Sequence, residues 1–430
     1  MTARFDVVVV GAGPGGIAAA AVAAEAGKRV CLVDGNPGPG GQVWRGISAE
    51  KAKSYPHGAK FRKWKARLDA SGCEIWQGWQ VVDRVAPGLL RVEAETESRG
   101  IEFARLILAT GARERFLPFP GWTLPGVMGV GGAQALVKSG LDARGKRVVV
   151  AGSGPLLPAV AAGLAKAGAK IQCILEQAPV VKLARFGLYA AIAQPGKIVE
   201  GTRYRLRTLR SPYFFNAWAR RAEGRGRVER VWVTIDGKES AIECDWLACG
   251  FHLVPNLELP RLVGCDIAAG YVTVDELQQS SVKGVTCVGE LTGVGGLGKA
   301  LVEGEIAGWA AAGKEARAGA LSGRRRKQLD FAARLDRAFA LRKELRSLPA
   351  ASTIVCRCED VTHKSLAEQS GWRDAKLHAR CGMGSCQGRI CGGATEFLYG
   401  WGPAASRPPV YPARVSTLAA EHEAADMANR

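Results

Sequence analysis

Five of the twelve cysteines lie close together near the end of the chain, and their spacing is that of a metal centre. Cys356 and Cys358 form a C-x-C pair, and Cys381 and Cys386 form a C-x4-C pair. Four soft thiolates suit either an iron–sulfur cluster or a structural zinc ion. Zinc sites favour two residues between paired cysteines, whereas a wide loop with glycines is more typical of a [2Fe–2S] cluster. The spacing therefore favours [2Fe–2S], with zinc as the alternative.

Two further side chains lie beside these pairs in the sequence. Cys391 follows Cys386 and is able to replace one of the four thiols, but a buried structural cysteine is the simpler interpretation. His378 is another candidate ligand that four thiolates make unnecessary. No C-x-x-C pair occurs in the sequence, so we do not expect a dithiol–disulfide relay.

A second set of residues, close to the N-terminus, has the spacing of a dinucleotide-binding loop. Gly11, Gly13 and Gly16 form a G-x-G-x-x-G pattern, with Pro14 and Gly15 inside it. These glycines permit a tight turn, close approach of the backbone to a pyrophosphate, and close packing of a helix on a strand. The N-terminus of that helix presents free N–H groups and a positive dipole end to phosphates. The pattern predicts a dinucleotide site, and the alternative is a glycine-rich turn without a ligand.

The elements that must position this loop are visible on both sides of it. Residues 6–10 form a short, valine-rich run that predicts a buried parallel strand, and the alanine-rich run after Gly16 predicts a helix. A second apolar strand, 29–33, is followed by Asp34. An acidic residue at this spacing is placed to accept hydrogen bonds from a ribose diol.

Three further segments are typical of a flavin-binding domain. We expect the glycine-rich loop after Asp34 to run along the dinucleotide toward its reactive end. An apolar strand that ends in Ala-Thr-Gly looks like the return strand of flavoproteins with two dinucleotide domains. A later strand, a Gly-Glu pair and a glycine-rich helix entry have the shape of a third FAD motif, with Glu where Asp is more usual. Three fingerprints in this order favour FAD over NAD in the first site. The residues that these segments contribute are Gly41, Gln42, Arg45, Ala109, Thr110, Gly111, Gly289 and Glu290.

A second strand–turn–helix–strand unit begins near Lys146. Gly152 and Gly154 occupy the first two glycine positions, Leu157 occupies the third, and Glu176 ends the second strand. Because the third glycine serves close packing, we expect Leu157 to hold the helix away from the strand. The turn and the helix N-terminus are retained, so the sequence leaves open an NAD(P) site, an adenine-nucleotide site, or a retained fold without a ligand.

Composition excludes several classes of protein. The chain has 430 residues and a net charge of +19, but its basic residues are spread out and accompany no nucleic-acid motif. This pattern favours a solvated surface, or the steering of an acidic partner or substrate, over nucleic-acid binding. Residues 180–221 are basic and aromatic, which fits either a docking surface or a covering helix. We find no transmembrane segment and no signal pattern, so we expect a cytoplasmic protein.

The segments PGGQVWR, ATGARERFLPFPGW, GVGGLGKALVEG, VCRCEDVT and RCGMGSCQGRICG together resemble the alpha subunits of heteromeric flavin-dependent amino acid dehydrogenases. That family includes opine oxidase, hydrogen cyanide synthase, D-hydroxyproline dehydrogenase and dye-linked proline dehydrogenases. The resemblance implies an α/β fold with two nested Rossmann-like dinucleotide-binding domains, the FAD/NAD(P)-linked reductase fold. It also implies a small C-terminal domain like bacterioferritin-associated ferredoxin. By this analogy the first glycine loop holds FAD, and [2Fe–2S] is bound by Cys356, Cys358, Cys381 and Cys386.

The resemblance divides the chain into six segments. These are a first FAD-binding part (1–140), an NAD(P)-like domain (141–255), a return segment of the FAD domain (256–323), a surface linker helix (324–350), a [2Fe–2S] domain (351–400) and a tail (401–430).

The same family implies that substrate is oxidised in a separate beta subunit with its own flavin. It allows a second flavin, FMN, at the partner interface, and a small ferredoxin-like gamma subunit. Our first hypothesis is therefore an electron-transfer subunit of an amino or imino acid dehydrogenase of the D-hydroxyproline, proline or opine type. We find no acid–base constellation for substrate chemistry in this sequence. The alternatives are a stand-alone NAD(P)H-dependent FAD/[2Fe–2S] oxidoreductase and a zinc-stapled scaffold.

Overall fold

The computed structural model describes residues 2–47, 50–53, 57–403 and 405–419. The strands are β1 Thr2–Val10, β2 Val30–Asp34, β3 Glu74–Gln77, β4 Gln80–Ala86, β5 Leu89–Glu93, β6 Ser98–Leu108, β7 Ala112–Glu114, β8 Val127–Gly129, β9 Arg147–Ser153, β10 Lys170–Glu176, β11 Tyr213–Phe214, β12 Ala217–Glu223, β13 Arg230–Ile235, β14 Lys238–Glu243, β15 Trp246–Phe251, β16 Leu253–Pro255, β17 Ile267–Ala268, β18 Tyr271–Val272, β19 Val285–Cys287, β20 Ile354–Cys356 and β21 Val361–Thr362. The α-helices are α1 Pro14–Glu25, α2 Gly58–Ala70, α3 Val130–Lys138, α4 Leu156–Lys166, α5 Val180–Ala193, α6 Pro195–Arg207, α7 Glu258–Val263, α8 Gly296–Ala311, α9 Glu315–Gly319, α10 Ser322–Ala338, α11 His363–Ala367, α12 Trp372–Ala379 and α13 Cys391–Tyr399.

The chain forms two compact units. The first comprises the described residues of Met1–Arg113, Pro255–Ala333 and Ala405–Arg430, and the second comprises Glu114–Val254 and Arg334–Ala404. These units group the residues differently from the predicted segments. The second unit begins at Glu114 rather than after residue 140, and the cysteine module belongs to that same unit.

The first unit is organised around β1, which is buried because strands flank it on both edges and helices cover its faces. The sheet order is β3-β2-β1-β6-β5-β4, with β19 also paired to β6. Strands β1, β2, β6 and β19 run parallel to one another in this sheet, whereas β5 is antiparallel to β6. Their carboxyl ends therefore meet at one edge, where the residues that follow each strand come together. Helix α8 packs closely on α1, since a Cβ on Gly304 would lie 2.2 Å from the carbonyl oxygen of Gly15.

The second unit contains another parallel sheet, with strand order β11-β10-β9-β15-β8. Helices α3 and α4 pack on this sheet, and a three-stranded antiparallel sheet, β12-β13-β14, adds to the same unit. The sequence-predicted strand–turn–helix–strand unit is thus present as β9, α4 and β10. Valines of β9 fill the core because both faces of a parallel sheet are covered.

The cysteine module also has its own small core. Strands β20 and β21 pair as an antiparallel hairpin, and helices α11, α12 and α13 follow. Val355, Leu366, Ala375 and Ala394 are buried together there. Phe397 of α13 lies in the larger core of the second unit, with Leu345 and Leu348 of the preceding segment.

The predicted linker helix is shorter than expected. Helix α10 ends at Ala338, so the predicted helical pattern does not continue to Leu348. The chain then passes through a non-helical stretch before a short 3-10 turn at Lys343–Ser347. No helix among the described residues has the length and apolar character that crossing a bilayer demands.

Candidate functional site

The first glycine loop lies at the carboxyl end of β1 and leaves room for a ligand. Gly11 has a φ of +105°, and a Cβ there would lie 2.3 Å from the carbonyl oxygen of Ala109. A Cβ on Gly16 would lie 1.8 Å from the carbonyl oxygen of Gly11. A Cβ on Gly13, in contrast, would meet nothing within 4 Å. The outer glycines are therefore needed for packing, while the middle one faces open space.

The N-terminus of α1 is available to an anion. Gly13 is its N-cap and contributes no side chain, Pro14 occupies the first turn, and that turn carries no acidic residue. The side of the turn at Gly15 is closed by α8, because a Cβ on Gly15 would lie 3.2 Å from the carbonyl oxygen of Ala300. Free N–H groups and the helix dipole then favour a phosphate at this position.

Asp34 lies beside the same loop and is held in a fixed orientation. Its side chain is buried, and its two oxygens accept hydrogen bonds from the backbone N–H of Ala12 (2.5 Å) and of Asn36 (2.7 Å). The Asn36 side chain donates to Asp34 at 2.7 Å and accepts from Arg45 at 2.9 Å. Arg45 therefore lies close to Asp34, and the course of this loop toward the reactive end of the dinucleotide stays a prediction.

The segment that contains Gly41 lies directly over the first glycine loop. Gly41 has a φ of +56°, and a Cβ there would lie 2.8 Å from Cα of Gly13. Gln42 is exposed, while Trp44 is fully buried against the ring of Phe61. Nε1 of Trp44 has no hydrogen-bond partner within the described part of the chain. A buried, unpaired donor next to the loop is available to a ligand.

The return strand brings its Ala-Thr-Gly segment to the same edge of the sheet. The backbone N–H of Ala109 donates to Val10 at 2.8 Å. Thr110 and Gly111 are tied to one residue, Asn256, through three hydrogen bonds. These are Thr110 Oγ1 to the Asn256 carbonyl (2.9 Å), Asn256 Nδ2 to the Thr110 carbonyl (2.8 Å) and Asn256 N–H to the Gly111 carbonyl (2.9 Å). The segment is thus held beside the first glycine loop.

The Gly289-Glu290 pair completes this edge. Gly289 has a φ of +76°, which an L side chain rarely adopts. The carboxylate of Glu290 accepts hydrogen bonds from the backbone N–H groups of Gly295 and Gly296, each at 2.9 Å, at the entry to α8. Burial raises the pKa of Glu290. Its carboxylate orders the helix entry, and two of its lone-pair sites stay available for a ligand hydroxyl.

A buried ion pair, which we did not predict, supports the Gly289 turn. Lys299 and Glu303, one helical turn apart on α8, are 1% and 0% exposed, and their charged atoms are 2.8 Å apart. Nζ of Lys299 also donates to the carbonyl of Gly289 (2.7 Å) and to Oγ1 of Thr292 (2.7 Å). Glu303 accepts from the N–H of Gly289 at 2.9 Å. The sequence contains a Lys and a Glu at i,i+4 in a mainly apolar helix that also carries Glu305.

These residues fit FAD. The open space at the Cβ position of Gly13 and the uncapped α1 N-terminus suit the phosphates. The oriented Asp34 carboxylate suits the ribose, and the unpaired Trp44 donor offers a further polar contact. The expected first-site residues therefore converge on one edge of the first sheet, except that Gln42 points to solvent.

The cysteine module brings its five thiols into two groups. Sγ atoms of Cys356, Cys381 and Cys391 lie within 4.8 Å of one another and are buried. Cys358 and Cys386 hydrogen-bond to each other through their thiols and through the backbone N–H of Cys386. Cys358 is exposed and Cys386 is half-buried. The four predicted ligands are thus divided between a buried and a solvent-side group, and Cys391 joins the buried one.

Local geometry explains how these thiols meet. A Cβ on Gly384 would lie 2.2 Å from Cβ of Cys358, so the C-x4-C loop touches the C-x-C pair. The indole of Trp372 packs against Gly382 and Gly388, where a Cβ would lie 2.7 and 2.9 Å from it. An ion pair at 2.7 Å between Arg380 and Glu359 joins the two segments.

The donor set suits thiolate ligands. Hydrogen bonds from the Cys381 and Cys391 thiols, and from the backbone N–H groups of Gly382 and Glu359, hold the pKa of Cys356 well below its usual value. Backbone N–H groups that point at sulfur stabilise negative charge on a thiolate and on bridging sulfide. Four of these five thiols therefore fit a [2Fe–2S] cluster. They also fit a zinc ion, because a structural zinc site takes four ligands as well.

The second dinucleotide-type unit keeps part of the binding apparatus. Gly152 approaches β15, since a Cβ there would lie 1.8 Å from the carbonyl oxygen of Gly250, and the space around Gly154 is open. Leu157 is fully buried in the α4 core. Glu176 is buried and accepts from the N–H groups of Gly154 and Ala178, each at 2.8 Å. Burial raises the pKa of Glu176 to about 7.

The crevice of this second sheet is occupied by the chain itself. In open α/β sheets ligands bind outside the carboxyl ends of the strands at the switch point, which here lies between β9 and β15. The carbonyl of Phe339 accepts hydrogen bonds at this point from Ser153 Oγ (2.8 Å), which ends β9, and from His252 Nε2 (2.6 Å), which follows β15. Burial lowers the pKa of His252, so its neutral ring donates through Nε2. Gln177, after β10, donates to the carbonyl of Ala340 at 3.2 Å.

The residues around Phe339 are fixed on both sides. Its ring packs edge-on to Phe186, with centroids 6.0 Å apart, and lies in a small core with Ala178. Arg342 donates to Asn216 Oδ1 at 2.8 Å, and its guanidinium lies 3.9 Å from the ring centroid of Trp218. The sequence predicted this stretch as part of a surface helix and did not place it at the second crevice.

Comparisons with known proteins agree with this architecture. The model of the pyridine nucleotide-disulphide oxidoreductase family matches residues 5–316. An opine oxidase subunit from Rhizobium meliloti (strain 1021) is 32% identical over 418 residues, which covers 90% of each chain. Hydrogen cyanide synthase subunit HcnB of Pseudomonas aeruginosa is 32% identical over 419 residues, covering 89% of this chain and 90% of the relative.

Solved structures share the fold. The L-proline dehydrogenase structure from P. horikoshii has a TM-score of 0.68 at 19% identity and covers 97% of this chain and 80% of its own. The thioredoxin reductase of T. acidophilum has a TM-score of 0.56 at 23% identity, covering 73% of this chain and 99% of its own. At these identities the likeness concerns the fold.

Proposed function

The chain belongs to the pyridine nucleotide-disulphide oxidoreductase family, within the group of opine oxidase and hydrogen cyanide synthase subunits, and we propose that it is the electron-transferring subunit of a heteromeric amino or imino acid dehydrogenase. The family membership confirms the resemblance predicted from the motifs and supports FAD as the cofactor of a flavin-dependent oxidoreductase. The iron–sulfur cluster, the substrate class and the partner subunits belong to the proposal.

One observation carries the proposal: a five-thiol module and a dinucleotide cradle are present in one chain. When bound, a flavin exchanges electron pairs for single electrons, and a [2Fe–2S] cluster carries one electron at a time. A chain with both groups is suited to receive a pair of electrons and to release them singly.

This chain's own residues hold the two groups. The α1 N-terminus and Gly13 would bind the pyrophosphate, and Asp34 would bind the ribose. Lys299 and Glu303 keep the turn at Gly289 in place. For the cluster we propose Cys358 and Cys386 from the solvent side, with Cys356 and Cys381 from the buried group. Cys391 competes with Cys381 for the fourth position, because both reach Cys356.

The second crevice argues against the alternative of a stand-alone NAD(P)H-dependent enzyme. At the switch point, the carbonyl of Phe339 accepts hydrogen bonds from Ser153 and His252. The carbonyl of Ala340 accepts one from Gln177. A pyridine nucleotide would have to displace this segment and the ring packing of Phe339 before it could bind. We therefore propose that electrons enter from a partner protein rather than from NAD(P)H.

The names of the relatives support a partner and a class of substrate. Both relatives are subunits, one of opine oxidase and one of hydrogen cyanide synthase. We propose a beta subunit that oxidises an amino or imino acid of the D-hydroxyproline, proline or opine type with its own flavin. The proposal also allows two further components, an FMN at the partner interface and a ferredoxin-like gamma subunit.

A serine scan of the five clustered cysteines tests the cluster assignment. We expect iron and acid-labile sulfide in the purified chain. Four of the five Cys→Ser variants should lose the visible iron–sulfur absorption while retaining flavin, and Cys381→Ser and Cys391→Ser should differ, which identifies the fourth ligand. Cys249→Ser, a buried cysteine outside the module, is the matched control. Zinc without sulfide would refute the cluster.

Rapid addition of NADH to the same purified chain separates the two enzyme hypotheses. We expect the flavin absorption to persist, because the second crevice is filled. Fast bleaching by NADH would favour the stand-alone reductase.

A further inference from the structure

Helices α5 and α6 expose an unusual number of large apolar side chains. Much of the chain's exposed large apolar surface lies in one stretch, between Val180 and Phe215. Leu188 is 70% exposed and Ile192 is 80% exposed. Soluble surfaces carry single exposed apolar residues without consequence, whereas a concentrated group marks an interaction site. The exposed members are Val180, Val181, Leu188, Ile192, Ile198, Val199, Leu206, Leu209 and Phe215.

The outward apolar residues of each helix share one face. On α5, Val181, Leu188 and Ile192 recur at spacings of seven and four residues. The inward face of α5 is separate, because Leu183 and Phe186 pack against a core that contains Phe339. A helix that only covers its own domain needs one apolar face. Helix α5 has two, and the outer one is not covered by the described residues of this chain.

Basic residues flank the outer face. Residues 180–210 contain seven Lys or Arg residues and a single acidic residue, Glu200. That acid is half-buried and is held within the hairpin, by Lys197 at 3.2 Å and by the Tyr204 hydroxyl at 3.1 Å. Helix α6 repeats the arrangement, with Ile198 and Leu206 exposed beside basic side chains. The basic residues are Lys182, Arg185, Lys197, Arg203, Arg205, Arg207 and Arg210.

We propose that the α5–α6 hairpin, residues 180–210, binds an anionic lipid surface with its apolar face in the headgroup region. An amphipathic helix whose apolar side is bordered by Lys and Arg lies in the plane of a membrane interface. Each basic side chain near an anionic leaflet adds to the attraction. The exposed apolar members here are aliphatic apart from Phe215, whereas protein interfaces are enriched in aromatic residues.

The hairpin adds to the proposed function without depending on it. A peripheral membrane position would bring an electron-transferring chain close to an acceptor dissolved in the lipid. The lipid-binding face is built from α5 and α6 alone, so it stands even if the cluster assignment fails.

Sedimentation with lipid vesicles tests the proposal on the full chain as purified, with any co-purifying subunits. One set of vesicles contains phosphatidylcholine alone, and the other contains about 30 mol% phosphatidylglycerol. We expect binding to the anionic vesicles, weakened by salt, and little binding to the neutral ones. The double variant Leu188→Gln/Ile192→Gln should lower the vesicle partition coefficient by about tenfold or more, since it removes two apolar anchors.

A matched control uses the same substitution elsewhere. Leu377 on α12 is 64% exposed, so Leu377→Gln removes a comparable apolar side chain outside the hairpin, and we expect unchanged partitioning. Circular dichroism of each variant checks that the helical content of the chain is unchanged. Absence of binding to anionic vesicles, which is also the result expected if a protein partner covers the hairpin, would overturn the proposal. Equal decreases of the vesicle partition coefficient in the double variant and in Leu377→Gln would also overturn the proposal.

Discussion

Replacing Lys299 with methionine is expected to destabilise the first unit and to loosen its hold on the flavin. Nζ of Lys299 donates to Gly289, Thr292 and Glu303, at 2.7, 2.7 and 2.8 Å. Because the side chains of the pair are 1% and 0% exposed, the variant leaves the buried Glu303 carboxylate with only the more distant Arg325, at 3.8 Å, as a cationic partner. Removing one partner of a buried ion pair costs about 3–5 kcal/mol of unfolding free energy.

The chain contains a matched control for this substitution. Lys65 and Asp69 form an i,i+4 pair at 2.6 Å on α2, with side chains 35% and 50% exposed. Lys65→Met should cost about 0.3–0.5 kcal/mol, because water screens an exposed pair. The double variant Lys299→Met/Glu303→Leu removes both buried charges. It should recover part of the loss and remain about 1–3 kcal/mol below the wild type, because the Gly289 N–H loses its acceptor.

Urea unfolding of the flavin-loaded protein, followed by the fluorescence of released flavin, measures these differences. With a denaturant slope of about 1–3 kcal/mol/M, Lys299→Met should lower the release midpoint by about 1 M or more. The Lys65→Met midpoint should stay close to that of the wild type. Equal midpoints for Lys299→Met and Lys65→Met would refute the argument that this buried pair holds the Gly289 turn.

Two other predictions follow from the same structure. Gly16→Ala should yield protein without flavin, because its Cβ would lie 1.8 Å from the Gly11 carbonyl oxygen. The flavin absorbance per mole of protein measures this loss. Gly319→Ala, where a Cβ meets nothing within 4 Å, is the control. Burial raises the pKa of Glu176 to about 7, so the folded chain holds this proton more tightly than the unfolded chain. Stability should therefore fall as pH rises from about 4.5 to about 7, and Glu176→Gln should flatten that fall in urea titrations; an unchanged slope would contradict the assignment.

The dinucleotide cradle was predictable because its determinants are local. The spacing of Gly11 and Gly16 encodes a backbone approach that only glycine allows, and the apolar runs beside them encode parallel strands. Parallel strands place their carboxyl ends together, so the positions of Asp34 and Ala109 beside the first glycine loop also follow from the sequence. The direction of the Arg45 side chain does not follow from the sequence, because it depends on a single hydrogen bond to Asn36.

Other parts of the site depend on contacts between distant residues. Lys299 and Glu303 have the spacing of an ordinary surface pair, and only the packing of α8 on α1 shows that they are buried. The cysteine spacing identifies two pairs, yet it contains no information on which thiols face inward. Cys391 joins Cys356 because α13 begins at that residue beside the β20 strand, which no local pattern indicates.

In the second unit, a dinucleotide-type sheet has a structural role that is independent of nucleotide binding. Phe339 fills the crevice between β9 and β15, and the chain that follows places Leu345 and Leu348 in the core beneath that sheet. Phe397 of the cysteine module lies in the same core. The sheet thus serves as the platform on which the module folds, and the segment that blocks the crevice is the one that connects them. We expect a variant that frees this crevice to disturb the same connection, so that opening a nucleotide site would weaken the attachment of the module.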